Sequence, residues 1–351
     1  MQFEQIDTLL SAHYQPQDYP VCHHQRQEWG KARPFAGLTV LDVTPIFRNT
    51  LVKHRALIEG GARLIVGRNV NLPADEQIVE LLRNSGIEVV ESGDAPREVD
   101  VVLDCAASFS HWHARLGYVE LTRSGVPKYE GKDAPVFVAD SGRIKKIETC
   151  LGTGESYFRT MAHIGHTQWQ GKKIVIFGSG KVGTGLLTYA YHYGAVPTVV
   201  TMPETVTEPA RRMAHEIIDC RNHDAVAAAL ADAYAVVTAT GIAGALSHPV
   251  VTRALIESPA ILANMGVEDE YGEAMPASRV LNGKRVFNFI LDEPTHMKYI
   301  DATMGLHNEG INYLLAHPEE RHLIEPPAEL ESRLLEITRK HGTITQELDL
   351  I

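Results

Sequence analysis

The four cysteines, Cys22, Cys105, Cys150 and Cys220, are scattered along the chain and form no CxxC pair. A disulfide framework and a cysteine zinc site are therefore not expected, and a reducing cytoplasm is the expected setting. No apolar run reaches the length that crosses a bilayer. The opening MQFEQIDTLL has neither the basic region nor the apolar core of a signal peptide. Lys and Arg number 33 against 44 Asp and Glu, a net charge of −11. That balance has the wrong sign for a surface that neutralises phosphates, so neither nucleic acid nor membrane is an expected partner. Internal repeats and low-complexity tracts are also missing. What remains, 44% hydrophobic and 22% charged residues, is the balance of a globular chain. Its 351 residues suffice for two domains with sizeable cores.

The most informative stretch is KIVIFGSGKVG, residues 173–183. Four apolar residues, Ile174 to Phe177, read as a short buried strand that runs into Gly178-x-Gly180-x-x-Gly183 and then into a helical pattern. A dinucleotide-binding turn needs this context. Gly178 makes the tight turn, Gly180 admits a pyrophosphate to the backbone N–H groups, and Gly183 brings helix close to strand. Lys181 and Val182 lie between them at the start of the helix, whose partial positive charge faces the phosphates. The alternative is a glycine-rich turn with no ligand.

Strand and helix periods alternate from Leu38 onward: LTVLDV, TLVKHRALIEGG, ARLIVG, ADEQIVELLRNSG, IEVVE, VDVVLDC. This is the signature of a parallel α/β sheet. A second series begins at Lys172 with strands KKIVIFG, TVVTM, YAVVTATG, PAILANMG and KRVFNFIL, and with helices in EPARRMAHEI and DAVAAALADA. The expected fold is thus α/β with two doubly wound parallel-sheet domains, the second a Rossmann dinucleotide-binding domain. Its expected span is 168–292, and the first, substrate-type domain spans 1–150 with a return segment, 293–351. A connecting helix is expected over 147–169, a return helix in THMKYIDATMGLHNEGINYLLAH and a terminal helix in PAELESRLLEITRKHG. Residues 1 to about 35 read as a solvated polar arm, in which Cys22-His23-His24 lacks a third ligand at metal spacing; no metal site is expected.

Four blocks in order resemble adenosylhomocysteinase, the NAD-dependent S-adenosylhomocysteine hydrolase family, over roughly residues 35 to 315. VFVADSGRIKKIETCLGTGESYFRTM is similar to the family's VNDSxTKxxFDNxYGxxES block, and KIVIFGSGKVGTG to its GYGDVGKG turn. TATGIAGALSHPVV is similar to its TTTG segment, and LANMGVEDEYG to its CNIGHFDxE segment. The resemblance implies a bound NAD that oxidises the substrate's 3′-hydroxyl, thiol elimination, water addition and return of the hydride. It also implies that Thr240, Gly241, Asn264 and Gly266 line the nicotinamide side.

The substrate half departs from the family. The family's acid in Glu-Thr-Thr-Thr-Gly falls on Leu121, the lysine of TKxxFD on Ile144 and the histidine of NIGH on Val267. The histidine near the first strand end falls around Pro45, and that of the GHPS loop on Leu306. Acid/base work needs a titratable group within hydrogen-bond reach of the moving proton, and none of these five side chains is one. The candidates that remain for catalysis are Asp104, Glu148 and His307. S-adenosylhomocysteine is therefore not the leading substrate. An NAD(P)-binding enzyme acting by hydride transfer on a small polar molecule leads, with a true adenosylhomocysteinase and a non-catalytic NAD-binding regulator as alternatives.

The position about 20 residues past the glycines, where an acid bonds the ribose 2′-OH of NAD, is Met202, with Glu204 two residues on. Lys181 adds positive charge, but no arginine directly follows the strand. NAD is favoured, with NADP left open. His163 and His166 sit three apart, as on one helix face, and read as a polar patch rather than a ligand site. Lys145-Lys146 reads as a solvated pair, and Asp292, Glu293, His296 and His307 as either a substrate-facing cluster or a helix start. Dehydrogenase-like chains of two domains are commonly oligomeric, so a homo-oligomer is expected.

Overall fold

The computed structural model describes residues 3–70, 72–344 and 347–348, and in it the chain divides into two compact units. One runs through Ile147 and resumes at His296; the other runs from Glu148 to Thr295. The return segment expected over 293–351 is described to residue 348.

The first unit opens with α1 (Glu4–His13) and α2 (Pro20–Ala32). It continues through β1 (Thr39–Asp42), α3 (Thr50–Glu59), β2 (Arg63–Arg68), α4 (Glu76–Asn84), β3 (Glu88–Glu91) and β4 (Glu98–Asp104). Then come β5 (His113–Glu120), β6 (Val136–Val138) and one turn of helix, α5 (Ile144–Lys146). The second unit holds α6 (Thr153–His163), β7 (Lys173–Phe177), α7 (Lys181–His192), β8 (Val196–Thr201), α8 (Glu208–Met213) and β9 (Glu216–Asp219). It closes with α9 (His223–Leu230), β10 (Ala235–Thr238), α10 (Pro249–Glu257) and β11 (Ile261–Asn264). The chain then returns to the first unit with α11 (Met297–Ala316), β12 (Leu323–Ile324) and α12 (Ala328–His341).

Both sheets are parallel throughout. The first has seven strands in the order β12-β6-β5-β4-β1-β2-β3, and the second five in the order β11-β10-β7-β8-β9. Strand order reverses beside β1 in the first sheet and beside β7 in the second. Ligands of such sheets bind at the carboxyl ends of the strands flanking that reversal. Alternate residues of β7 and β10 feed apolar clusters on opposite faces of the second sheet: Ile174, Ile176 and Val237 on one, Val175 and Val236 on the other. Continuous apolar runs in these strands are thus what a two-faced parallel sheet requires.

Several expectations are corrected. The N-terminal stretch is not a solvated arm: Ile6, Leu10, Val21, Cys22 and Trp29 are buried. No side chain next to α2 caps its first turn; instead the Asp301 carboxylate of α11 accepts from the N–H groups of Val21 (2.7 Å) and Cys22 (3.0 Å). A carboxylate from the return helix therefore does the work of a local N-cap. Lys145 is not solvated either. It is buried, 4.0 Å from Asp140. AHEI does not extend α8: Glu216–Asp219 is an edge strand paired with β8. KRVFNFIL is not a strand but turns of 3-10 helix at Leu281–Lys284 and Phe287–Ile290, joined to β11 by a single bridge at Val286. The connecting segment is α-helical only over Thr153–His163, after a π-helical stretch, Ile147–Gly152. His166 lies beyond that helix, 2.9 Å from the Tyr234 hydroxyl, so it shares no helix face with His163. The helix signalled by Glu293-Pro294-Thr295 begins a few residues later, at Met297, with His296 in the N-cap position.

Candidate functional site

In the second unit the carboxyl ends of β7, β8 and β10 enclose a cleft of about 530 Å³. Gly178, Gly180, Met202 and Thr240 line it. Gly178 has φ +99°, and a Cβ there would press on the Ala239 carbonyl. A Cβ on Gly183 would fall within the carbonyl oxygen of Gly178, so Gly183 sets how closely α7 approaches the strand end. Gly180 is different, because a Cβ there would meet nothing within 4 Å. It is the N-cap of α7 and brings no side chain to that helix end. Lys181 is exposed and Val182 half-buried in its first turn.

At the β8 end, Ser179 Oγ donates to the Thr205 carbonyl (2.9 Å) and lies 3.2 Å from Thr201 Oγ1, which is 3.0 Å from Thr205 Oγ1. Met202 is 43% exposed at the rim. Glu204 is paired with Arg221 (3.1 Å), which also binds Asp219 (2.8 Å). No motif signals Arg221, which lies two residues past the end of β9.

At the β10 end, the loop Thr240-Gly241 is held by Glu270. Its buried carboxylate accepts from Thr240 N–H (2.9 Å) and Gly241 N–H (2.7 Å). Asn264 is committed to its own loop: Oδ1 accepts from Thr238 Oγ1 and Gly266 N–H, and Nδ2 donates to the Glu268 and Lys284 carbonyls. Asn264 and Gly266 thus shape the cleft's surroundings through the backbone they fix. A Cβ on Gly266 would collide with Glu270, which gives that glycine a steric reason. Of the ten expected cofactor residues, all lie in the second unit, clustered at strand ends and the start of α7.

The first unit carries Asp104 and His307, whereas Glu148 is in the second. Asp104 is buried at the end of β4. Tyr129 donates to Oδ2 (2.5 Å), and the N–H groups of Cys105 (2.8 Å) and Phe109 (3.0 Å) complete its shell. Glu120, which no motif singles out, accepts from Ala106 and Ala107 N–H (3.0 and 2.9 Å) and from Thr122. Ala106 and Ala107 both have positive φ, +58° and +50°. Two consecutive left-handed alanines are strained, and these two carboxylates hold the loop in that shape. His307 is buried on α11, and its Nε2–H donates to the Val119 carbonyl (3.0 Å). Burial, reinforced by the Lys53 charge, lowers His307 to about 3, so its ring is neutral at neutral pH.

Lys53, missed by sequence reasoning, and Asp42, at a strand end of the kind where ligands bind, form a fully buried ion pair at the switch point. Asp42 Oδ1 further accepts from Thr44 N–H (2.8 Å), and His54 lies 3.8 Å from Oδ2. Burial raises Asp42, but the Lys53 ammonium and its hydrogen bond, with smaller contributions from His54 and His307, together outweigh it and hold the carboxyl well below its usual range. Three consecutive charged or polar residues on a buried stretch of α3, Lys53-His54-Arg55, were the available signal. Among the described residues no group of three His, Cys, Asp or Glu side chains is placed to hold a metal, and no helix is long and apolar enough to cross a membrane.

The Asp104 environment carries a pH prediction. Burial and the neighbouring Glu120 carboxylate push Asp104 up to about 7. The folded protein therefore keeps a proton that the unfolded chain has released above about pH 4. Stability from this group is lost as pH rises from about 4 to about 7 and is level beyond. Asp104→Asn keeps the shape, with Oδ1 facing the two N–H groups and Nδ2 facing Tyr129, and does not titrate. Melting temperature against pH should fall less steeply for the variant, the residual slope coming from Glu120, which burial also raises. Parallel profiles would exclude Asp104 as the titrating group.

No family model matches the chain. It is 26% identical to the adenosylhomocysteinase of Archaeoglobus fulgidus over 270 residues, 69% of this chain and 65% of that protein. It is 24% identical to that of Haloquadratum walsbyi over 283 residues, 71% and 63% of the two chains. The chain is thus similar, at low identity, to the adenosylhomocysteinases. It spans less than two thirds of the length of these relatives. Among solved structures it is similar to the transhydrogenase from Sinorhizobium meliloti, at 12% identity and TM-score 0.43, over 80% of this chain and 94% of that one. It is also similar to D-lactate dehydrogenase with NAD+ from Lactobacillus jensenii, at 12% identity and TM-score 0.38, over 83% and 100%.

Proposed function

We propose that the second unit binds NAD in the 530 Å³ cleft and that the protein is an NAD-dependent enzyme acting by hydride transfer on a small polar substrate other than S-adenosylhomocysteine. The observation that carries this reading is the opening at Gly180, where α7 begins on a glycine whose Cβ would meet nothing within 4 Å. Backbone N–H groups at such an end suit a pyrophosphate. The hydroxyls of Ser179, Thr201 and Thr205 suit the adenosine ribose. Glu204 and Asp219, which surround Arg221 with two negative charges, favour a ribose without a 2′-phosphate. When bound, NAD supplies a hydride acceptor.

The protein's own part is to orient. Glu270 fixes the Thr240-Gly241 loop, and Asn264 fixes the turn that follows β11. The substrate reading rests on what replaces the expected acids and bases. Leu121, Ile144 and Val267 move no protons, and Asp104 has both oxygens engaged by its own loop and Tyr129. A paired assay tests the proposal: homocysteine release from S-adenosylhomocysteine, and the near-ultraviolet change of the nicotinamide with small hydroxy and oxo compounds. The expected outcome is no homocysteine and a nicotinamide change with at least one such compound. Homocysteine release would restore the thioether hydrolase. Nucleotide binding without any nicotinamide change would favour a regulator.

A further inference from the structure

His223 and His248 are 25 residues apart in sequence, at the start of α9 and the N-cap of α10, yet their rings stack face to face. The centroids are 3.4 Å apart and the planes 13° from parallel. Both rings line the cleft, on the same side as Val226, Val251 and Ala245. Two large apolar side chains at this mouth, Met202 and Ile242, are 43% and 57% exposed. Bare apolar surface around a cleft marks the place of an apolar ligand group. The glycine turn and the hydroxyls of Ser179, Thr201 and Thr205 line the same cleft. The cleft therefore offers backbone and hydroxyls suited to phosphate and sugar, and apolar and aromatic surface suited to something flat.

We infer that the stacked pair His223–His248 is a purine-stacking platform, and that these two residues set the affinity of the cleft for the base of its nucleotide. A planar base gains its stacking energy from any aromatic face. Val226 and Val251, three residues further along the same two segments, belong to the apolar core of the sheet and line the same cleft. This inference rests on the dinucleotide reading of the cleft.

The test is calorimetric titration of the full chain with NAD, ADP-ribose and nicotinamide mononucleotide, the last lacking a purine. The variants are His223→Gln and His248→Asn; the second puts a residue favoured at an N-cap at the start of α10. Matching melting temperatures establish that both variants are folded. Each should bind NAD and ADP-ribose about tenfold more weakly, the scale of one lost stacking contact, and bind nicotinamide mononucleotide as the wild type does. Unchanged affinity for NAD in both variants would overturn the platform while leaving the NAD reading in place, as would equal losses for all three ligands. Wild-type protein that binds none of the three would overturn the NAD reading itself, and the platform with it.

Discussion

Gly180→Val should weaken NAD binding sharply while leaving the fold intact. The Cβ of residue 180 has no neighbour within 4 Å, so the folded chain accommodates it without displacing anything. The same space is where the phosphates would meet the start of α7. Forcing methyl groups into a site shaped for close backbone approach costs about 1–3 kcal/mol. At the upper end that is roughly a hundredfold in Kd. Gly183→Ala should behave in the opposite way. Its Cβ would overlap the Gly178 carbonyl, so α7 must move off β7 and the melting temperature should drop. Calorimetry and thermal melts on the two variants separate the roles. A Gly180→Val protein that binds NAD as tightly as the wild type would remove the glycine turn from the ligand site.

The second large effect is on stability. Asp42 and Lys53 are both fully buried. Removing one partner leaves the other charge in the core without compensation, a loss of about 3–5 kcal/mol. Asp42→Ala should lose that much in denaturant unfolding, and Lys53→Met a similar amount. The double variant should lose far less than the sum, because no charge is then stranded. Additive losses would mean that the two groups do not interact. The pair lies beneath the switch point of the first sheet, where Thr44 N–H also binds Asp42. Its part is to pin the end of β1, not to touch substrate.

The alternation that builds both sheets is legible because β1, β2, β4, β7, β8 and β10 are buried on both faces and so read as apolar runs. The glycine turn is legible for the same reason: a buried strand delivers it, and its three glycines have three different steric tasks. Short strands are harder to see. β6 and β12 have three residues and two, and β5 opens with exposed His113 and Arg115, which hide its apolar half. The N-terminal helices look solvated because the cap that anchors α2, Asp301, is about 280 residues away. The same distance problem conceals the stacked histidines and the Glu204–Arg221 pair, which only the sheet order brings together. KRVFNFIL misleads because its apolar side chains, Phe287 above all, pack against α6 from a 3-10 turn instead of a ladder.

The most direct measurement is titration of nucleotide-stripped protein with NAD, together with mass spectrometry of whatever the purified protein releases on denaturation. The expected result is one saturable site per chain, or NAD or NADH already held at that ratio. Protein that releases no nucleotide and gives no saturable binding of added NAD would contradict the proposal, leaving Gly178, Gly180 and Gly183 as architecture alone.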